Sequence, residues 1–230
     1  MNPVEKIKTE LYEYDIKIRN IFITGGTGYI GRNLIPLFVK RNYYLKLLTR
    51  NRYGKKIPDY CDIIEGNALN SISYKDKIRP CETFIHLVGE SHPAPWKGKQ
   101  FSSVDLVSIE EAVKAAVHAG IQNFIYLSVA HPAPVMKEFI KVRMKGEELL
   151  RNSGIRCSFI RPWYVTGPGH YWPLVFQPAY KVMENISSTA EFAGRLGLVN
   201  IDQLINCIVH AVENPPYNID IYNVKDIRKF

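Results

Sequence analysis

The sequence predicts an α/β fold built on a doubly wound parallel sheet. Two observations support this prediction: short apolar runs alternate with segments of helical apolar spacing as far as residue 160, and a glycine-rich turn follows the first run. Such alternation requires helical crossovers between parallel strands, which puts helices on both faces of the sheet. The 230 residues are 46% hydrophobic and 23% charged, which excludes disordered and collagen-like chains.

Six apolar runs are predicted as strands, because each is short and ends at polar or glycine residues. Four segments carry apolar side chains at helical spacing. In the first helix Pro36 removes a backbone hydrogen bond, so we expect a kink or a short helix. Before the last helix, Asn200 and Gln203 have the spacing of a capping box. The predicted strands are 21–23, 44–49, 62–65, 83–88, 124–127 and 157–160, and the predicted helices are 30–38, 104–118, 138–151 and 201–212.

Gly25, Gly28 and Gly31 form a Gly-x-x-Gly-x-x-Gly turn between the first strand and the first helix. One glycine permits a tight turn, one lets the backbone approach a pyrophosphate, and one lets helix and strand pack closely. In this strand-turn-helix context the triplet predicts a Rossmann-type dinucleotide-binding domain over residues 19–162. Residues 1–18 are then a charged N-terminal extension, and residues 163–230 are a small substrate or partner region that completes the same domain.

The residues after the second strand indicate which dinucleotide is bound. A site specific for NAD carries an acid here, which holds the adenosine 2′-hydroxyl. This chain has Arg50 and Arg52 instead, and Arg32 directly follows the last glycine of the turn. Because cations favour a 2′-phosphate, we predict NADP(H) in preference to NAD(H). The alternative is that these arginines form an ordinary solvated surface.

Charge, cysteines and hydropathy exclude several other classes. The net charge of +8 is spread along the chain without a polybasic block, so nucleic-acid binding is not predicted. Cys61, Cys81, Cys157 and Cys207 lack metal-binding spacing, so we expect reduced core thiols and no metal site. The N-terminal residues lack the apolar core of a signal peptide, and no run is long enough to cross a bilayer. We therefore expect a cytoplasmic protein without a membrane span.

Five short motifs follow one another along the chain: TGGTGYIG at 24–31, GNA at 66–68, HLVG at 86–89, YLS at 126–128 and RPWYVTGPG at 161–169. Together they resemble the atypical branch of the extended short-chain dehydrogenase/reductase family. That branch includes NAD(P)-binding epimerase-like proteins, redox sensors of the nitrogen-regulator type and an accessory subunit of respiratory complex I. The resemblance covers nearly the whole chain from about residue 19.

The resemblance implies contacts along the whole length of a bound dinucleotide. Asn67 would lie near the adenine ring, residues 87–89 beside the adenosine ribose and the pyrophosphate, and residues 162–165 near the nicotinamide carboxamide. Ser128 would take the position of the catalytic serine, which hydrogen-bonds a substrate carbonyl or hydroxyl. The predicted cofactor-binding residues are Gly25, Thr27, Gly28, Tyr29, Ile30, Gly31, Arg32, Arg50, Asn67, Leu87, Val88, Gly89, Ser128, Arg143 and Pro162.

Phe139 and Arg143 depart from the Tyr-x-x-x-Lys motif of that family. The family tyrosine supplies a phenol as proton donor or acceptor, and the lysine lowers its pKa and holds the nicotinamide ribose. No tyrosine occurs between Tyr126 and Tyr164, so a shift of register does not restore the motif. Phenylalanine has no ionisable proton, and the usual acid–base step is therefore missing. Arg143 could still hold the ribose through its planar set of donors.

Other protic side chains could replace the missing phenol. His92 and His131 follow the carboxyl ends of the fourth and fifth strands, where ligands bind in open α/β sheets. His170 lies on the same side, whereas His86, inside an apolar strand, is better interpreted as a core residue. Tyr164 and Glu90 are further candidates, although each of these loop residues could equally have no catalytic role. The predicted catalytic residues are Ser128, Arg143, His131 and Tyr164.

Residues 163–180 are rich in aromatic side chains and proline, which is typical of a pocket wall or of a cap on the core. Two functions remain. One is an NADP- or NAD-dependent oxidoreductase or epimerase-like enzyme that acts on a small carbonyl or alcohol. The other is an inactive dinucleotide-binding redox sensor or assembly subunit that presents a surface to a protein partner. The missing phenol distinguishes them; the substrate and the oligomeric state are not predicted.

Overall fold

The computed structural model describes residues 20–50, 61–90, 94, 96–171 and 195–230. Within these residues, seven strands form one parallel sheet in the order β3-β2-β1-β4-β5-β6-β9, and β7 and β8 form a separate parallel pair. The strands are β1 (Asn20–Thr24), β2 (Tyr44–Thr49), β3 (Asp62–Glu65), β4 (Thr83–His86), β5 (Asn123–Leu127), β6 (Arg156–Arg161), β7 (Tyr164–Thr166), β8 (Leu198–Asn200) and β9 (Ile219–Asn223).

Five helices flank this sheet in the described part of the chain: α1 (Tyr29–Lys40), α2 (Val107–Ala119), α3 (Lys137–Asn152), α4 (Ile201–Glu213) and α5 (Val224–Ile227). A short helical turn (Gly98–Gln100) and a π-helical segment (Phe101–Leu106) lead directly into α2. Gly120 ends α2 with a φ of 77°, a conformation that favours glycine. The capping box at Asn200 and Gln203 is present at the start of α4 and confirms that prediction.

The helices cover both faces of the sheet, as the doubly wound prediction requires. Ile21 and Ile23 of β1 pack with α1, α4 and α5, whereas Phe22 between them packs with α2 on the opposite face. This division follows from strand geometry, because successive side chains point to opposite faces. Each face therefore has its own apolar core, and the predicted α/β fold is confirmed.

The structure differs from the sequence-based expectation at the first helix and at three strands that were not predicted, the short pair β7 and β8 and the edge strand β9. The helix that contains Pro36 is not short: α1 continues for four residues beyond the proline, to Lys40. The edge strand β9 was not predicted, because its five residues, IDIYN, mix polar and apolar side chains and are mostly half-exposed or exposed. It nevertheless pairs with β6 over five residues and extends the sheet.

His86 ends β4 and is completely buried between Thr24 and Ser108. One ring nitrogen lies 2.8 Å from Thr24 Oγ1 and the other lies 3.3 Å from Ser108 Oγ. Burial, and to a lesser extent the charge of Arg143, lowers the pKa of His86 to about 3. The ring is therefore a neutral core residue at physiological pH, as the sequence indicated.

The four cysteines are buried and unpaired, as expected of core thiols. Burial raises the pKa of Cys157 and of Cys207 to about 12, so both remain protonated. No helix in the described ranges is long and apolar enough to cross a membrane.

Candidate functional site

A cleft of about 640 Å³ opens where the strand order reverses, between the carboxyl ends of β1 and β4. From β1 the chain proceeds to β2 and β3 on one side, and then crosses to β4 on the other. Ligands of open α/β sheets bind at such switch points. The predicted site residues that line the cleft are Gly25, Gly28, Tyr29, Ile30, Gly31, Leu87, Gly89, Ser128, Arg143, Pro162 and Tyr164.

The three glycines of the turn have different surroundings. Gly25 has a φ of 78°, and a Cβ there would lie 2.7 Å from the backbone carbonyl carbon of Leu87. A Cβ on Gly31 would collide with the backbone of Gly26, so this glycine lets α1 approach β1. Both positions are therefore restricted by the protein itself.

Gly28 is different, because the space beside it belongs to the cleft. Within the described residues, a Cβ on Gly28 would come near only the carbonyl oxygen of Gly25, at 3.2 Å. Gly28 is also the N-cap of α1, and among the residues that the structure describes no side chain caps the first amides of the helix. Uncapped N–H groups at a helix start form a ready anion site. The turn thus fits a dinucleotide pyrophosphate, which would occupy the space that a side chain at Gly28 would fill.

Ser128 lies just beyond β5, and its hydroxyl donates a hydrogen bond to Glu147 Oε1 at 2.6 Å. Glu147, on α3, is 4% exposed and also accepts hydrogen bonds from Nε and Nη2 of Arg161, the former at 2.8 Å. Burial by itself raises the pKa of Glu147, but the neighbouring His131, Arg161 and Ser128 side chains bring it down to about 2. Glu147 is therefore a buried carboxylate whose partners include Ser128.

His131 lies on the other side of the same carboxylate. Its Nε2 atom is 3.9 Å from Glu147 Oε1, beyond direct hydrogen-bond length, and this atom has no hydrogen-bond partner among the described residues. The ring is mostly buried and is not part of the cleft wall. His131 thus contacts the acid that holds Ser128, and is not itself among the residues that line the cleft.

Arg143 lines the cleft beside Gly89, but its charge is already paired. Its Nη2 atom lies 2.7 Å from Asp105 Oδ1, and its Nη1 donates to the carbonyl of Leu127 at 2.8 Å. Both members of the pair are buried, Arg143 at 5% and Asp105 at 1% exposure. A Cβ on Gly89 would collide with the guanidinium, so Gly89 makes room for this pair.

Asp105 also fixes the loop that follows β4, because its Oδ2 accepts a hydrogen bond from the backbone N–H of Glu90 at 3.1 Å. It comes from the π-helical segment that precedes α2, and such irregular turns often occur at functional sites. Asp105 and Arg143 together join the carboxyl ends of β4 and β5. Their opposite charges leave this part of the wall with no net charge.

Phe139 lies one turn before Arg143 on α3 and forms part of the cleft wall. Its ring packs against Phe101, with the centroids 5.0 Å apart, and the Arg143 guanidinium lies 5.1 Å from its centroid. An apolar ring thus occupies the position at which the sequence resemblance implies a phenol. It can shape a ligand's environment but cannot transfer a proton.

Tyr164 and His170 bring protic groups to the opposite wall. Tyr164 is partly buried next to Trp163, and burial raises the pKa of its hydroxyl, which stays protonated at neutral pH. His170 Nδ1 lies 2.8 Å from the carbonyl oxygen of Val165, and its ring stacks near Tyr29. Tyr164 is therefore a proton-bearing candidate in direct contact with the cleft.

Several predicted residues lie away from this cavity. Asn67 is exposed after β3, and its side-chain oxygen accepts a hydrogen bond from the backbone N–H of Leu69. Arg32 and Arg50 are exposed, the first in the opening turn of α1 and the second directly after β2. Thr27 and Val88 flank the cleft without lining it. The remaining predictions on His92, Arg52 and residues 172–180 fall outside the described residues.

Sequence reasoning missed the two acids that organise the site. Glu147 lies within a helical pattern in which an acid usually faces solvent, so periodicity alone gives no sign of its burial. It also missed Trp96, Val135 and Met136, which complete the apolar part of the cleft wall. An unmatched acid on an otherwise apolar helix face was the available signal for Asp105, whose neighbours Phe101 and Ile109 are both buried.

Two curated proteins match most of the chain. It is 22% identical over 216 residues to ceramide reductase of Caulobacter vibrioides, and the match covers 91% of this chain and 65% of that protein. It is also 22% identical over 237 residues to UDP-glucose 4-epimerase of Vibrio cholerae, with 90% of this chain and 71% of the epimerase covered. The chain thus spans about two thirds of the length of these relatives.

Solved structures share the fold at low sequence identity. The WbmH enzyme of Bordetella bronchiseptica, determined in complex with NAD+, has a TM-score of 0.66 and 17% identity, with 89% of this chain and 75% of that chain covered. UDP-glucose 4-epimerase of Thermotoga maritima has a TM-score of 0.65 and 14% identity, with 91% and 80% covered. The family model for the NAD dependent epimerase/dehydratase family matches residues 21–151, more than half of the chain. On this match, together with the shared fold, the protein belongs to the NAD dependent epimerase/dehydratase family.

Proposed function

We propose that the protein binds a nicotinamide dinucleotide in the cleft and acts as an oxidoreductase or epimerase-like enzyme on a small carbonyl or alcohol. One observation supports this most strongly. A cleft at the switch point of the sheet joins an uncapped, glycine-lined helix start at Gly28 to a buried serine at position 128. Family membership and the reductases and epimerases among the relatives favour the same function.

In this proposal the amides at the start of α1 hold the pyrophosphate, and Gly28 admits it. Residues 87–89 lie beside the adenosine ribose, Asn67 lies near the adenine, and residues 162–165 lie near the carboxamide. The dinucleotide supplies hydride transfer when bound. Ser128 orients the ligand, and Arg143 reaches the ribose as a member of a neutral pair with Asp105.

The proton that accompanies such chemistry needs a carrier other than Phe139. Of the protic side chains that the sequence indicated, Tyr164, His170 and Glu90 line the cleft, whereas His131 packs against Glu147. Burial raises the pKa of Tyr164, so its hydroxyl carries a proton at neutral pH and can donate it. We therefore assign proton donation to Tyr164, and a supporting role beside Glu147 to His131.

The test is incubation with NADPH and a panel of small ketones and aldehydes, with oxidation of the cofactor followed by the loss of its absorbance. We expect oxidation with at least one carbonyl, and a loss of about 100-fold or more in turnover for Tyr164→Phe, the usual contribution of general acid catalysis. An unchanged rate in Tyr164→Phe would contradict the assignment of that residue.

A second candidate function is a dinucleotide-binding sensor or assembly subunit without turnover. The observation that favours it is the combination of Phe139 with an arginine already neutralised by Asp105. Tight NADPH binding without oxidation by any carbonyl in the panel would support this second function over the first.

We further propose that NADP(H) binds more tightly than NAD(H). Arg32 and Arg50 support this preference, because they are exposed at the carboxyl edge of the neighbouring strands β1 and β2. Replacing Arg50 with alanine is expected to weaken NADPH binding about tenfold and leave NADH binding unchanged, because a charge-assisted bond to phosphate is lost. Isothermal titration measures the affinities for NADPH and for NADH.

Arg41→Ala is the matched control for this titration, because Arg41 pairs with Glu213 at the far end of α1. Equal weakening of NADPH and NADH binding in Arg50→Ala would contradict the preference, as would tighter binding of NADH than of NADPH to the unaltered protein.

A further inference from the structure

The hydroxyl of Ser128 has its only proton committed to Glu147. The two oxygens involved are 2.6 Å apart, and Ser128 is 5% exposed. A carboxylate accepts hydrogen bonds and donates none, so in this pair the proton must come from the serine. Arg161 holds Glu147 from the other side and leaves the carboxylate in its charged form.

This arrangement determines what Ser128 can offer to a ligand. A serine hydroxyl has one donor and two acceptor sites. With the donor used by Glu147, the remaining capacity of Ser128 is to accept. A ligand carbonyl, which also only accepts, has no hydrogen bond to gain from it. Phe139, which lines the same cleft, donates nothing either.

We propose that the cleft at Ser128 recognises a hydrogen-bond donor, that is, a ligand hydroxyl or an amide N–H, and that Glu147 sets this preference as a positioning residue. The inference rests on the proposed function, because it locates the ligand in the same cleft. Two ligands carry the required chemistry: an alcohol substrate and the carboxamide of the dinucleotide. If the ligand is an alcohol substrate, the alcohol should bind more tightly than the corresponding ketone. If it is the carboxamide, the intact dinucleotide should bind more tightly than an analogue without the carboxamide.

Two matched pairs of probes separate these sources. Cyclohexanol and cyclohexanone suit the apolar wall formed by Val135, Met136 and Phe139, and they differ in donor capacity. NAD+ and its 3-acetylpyridine analogue differ in the same way, because an acetyl group replaces the carboxamide. Saturation-transfer NMR measures the affinities of the first pair, and isothermal titration measures those of the second. We expect the donor member of at least one pair to bind about fivefold more tightly, the usual value of one net hydrogen bond.

The informative variant is the double substitution Glu147→Met with Arg161→Met. It removes the buried ion pair as a unit, and apolar replacement of such a pair is often tolerated. The Ser128 proton is then free, so the fivefold preference for the donor is expected to vanish or reverse. The control is Lys145→Met with Glu148→Met, which removes an exposed ion pair from the same helix and should leave the preference unchanged.

Ser128→Ala keeps the proposal testable if the double variant does not fold. It should weaken binding of the donor member alone and leave the ketone and the acetyl analogue unaffected, which a merely structural serine would not do. If only cyclohexanol and cyclohexanone show a preference for the donor, the ligand group at Ser128 is a substrate hydroxyl. If only NAD+ and its 3-acetylpyridine analogue show it, the group is the carboxamide. If neither pair shows a donor preference in the unaltered protein, the proposal is overturned.

The same measurements distinguish failure of the inference from failure of the proposed function. If neither dinucleotide binds, the proposed function fails, and the comparison of cyclohexanol with cyclohexanone still tests the donor preference at Ser128. If the dinucleotides bind equally well and cyclohexanol binds no better than cyclohexanone, the proposed dinucleotide binding stands and the inference fails.

Discussion

Replacing Asp105 with alanine is expected to lower the free energy of unfolding by about 3–5 kcal/mol, the usual cost of removing one partner of a buried ion pair. The guanidinium of Arg143 is 5% exposed and would be left without its carboxylate. The backbone N–H of Glu90 would lose its acceptor at the same time. Burial raises the pKa of Asp105 even though Arg143 opposes the shift, so the pair itself adds little net stability.

Urea denaturation at neutral pH measures this effect. A matched control is Asp76→Ala, which removes an exposed acid that pairs with His118 on the surface. The double variant Asp105→Leu with Arg143→Met should recover most of the stability, because it leaves no unpaired charge. A loss below about 1 kcal/mol in Asp105→Ala, the range of surface pairs, would show that Arg143 finds another partner.

The fold was largely predictable from the sequence because its signals are local. The six predicted strands and four predicted helices all occur, and Gly120 and Asn200 bound helices at the expected positions. Strand β9 was missed because half-exposed edge strands carry no continuous apolar run. Helix α1 passes through Pro36, since packing of Leu34, Ile35 and Phe38 into the core outweighs one lost backbone bond.

The site was predictable only in part. The glycine turn, Ser128 and Tyr164 were predicted because motifs specify them, and all of them border the cleft. The partners of Ser128 and Arg143 were not found, because Glu147 is 19 residues from Ser128 and Asp105 is 38 residues from Arg143. Pairing over such distances depends on how α3 packs against the π-helical segment and the end of β5, which periodicity does not encode.

These hidden partners change the chemistry that the motifs suggest. The sequence position of Arg143 suggests a cation available to a ligand, but in the structure its charge is paired with that of Asp105. Similarly, the motif suggests that Ser128 donates a hydrogen bond to a ligand, but in the structure its hydroxyl donates to Glu147. The identity of a side chain thus gives its chemical type, and the buried partner decides its charge and its hydrogen-bond polarity.

Replacing Gly28 with valine is expected to weaken dinucleotide binding by about 100-fold or more, because its methyl groups would fill the space where a pyrophosphate meets the helix start. The fold should tolerate the change. Gly28 has φ of −74° and ψ of 178°, a conformation open to any residue, and in the described part of the chain its Cβ would approach only the carbonyl oxygen of Gly25. Gly98→Ala is the control, because a Cβ there makes ordinary contacts with Glu138 at 3.8 Å.

The most direct test of the dinucleotide site is therefore one isothermal titration series with NADPH on three proteins: unaltered, Gly98→Ala and Gly28→Val. Thermal unfolding should first show that all three are folded. The proposed site predicts one bound dinucleotide per chain with equal affinity in the first two proteins and a loss of about 100-fold or more in Gly28→Val. Absence of binding to the unaltered protein, or equal binding by Gly28→Val, would contradict it.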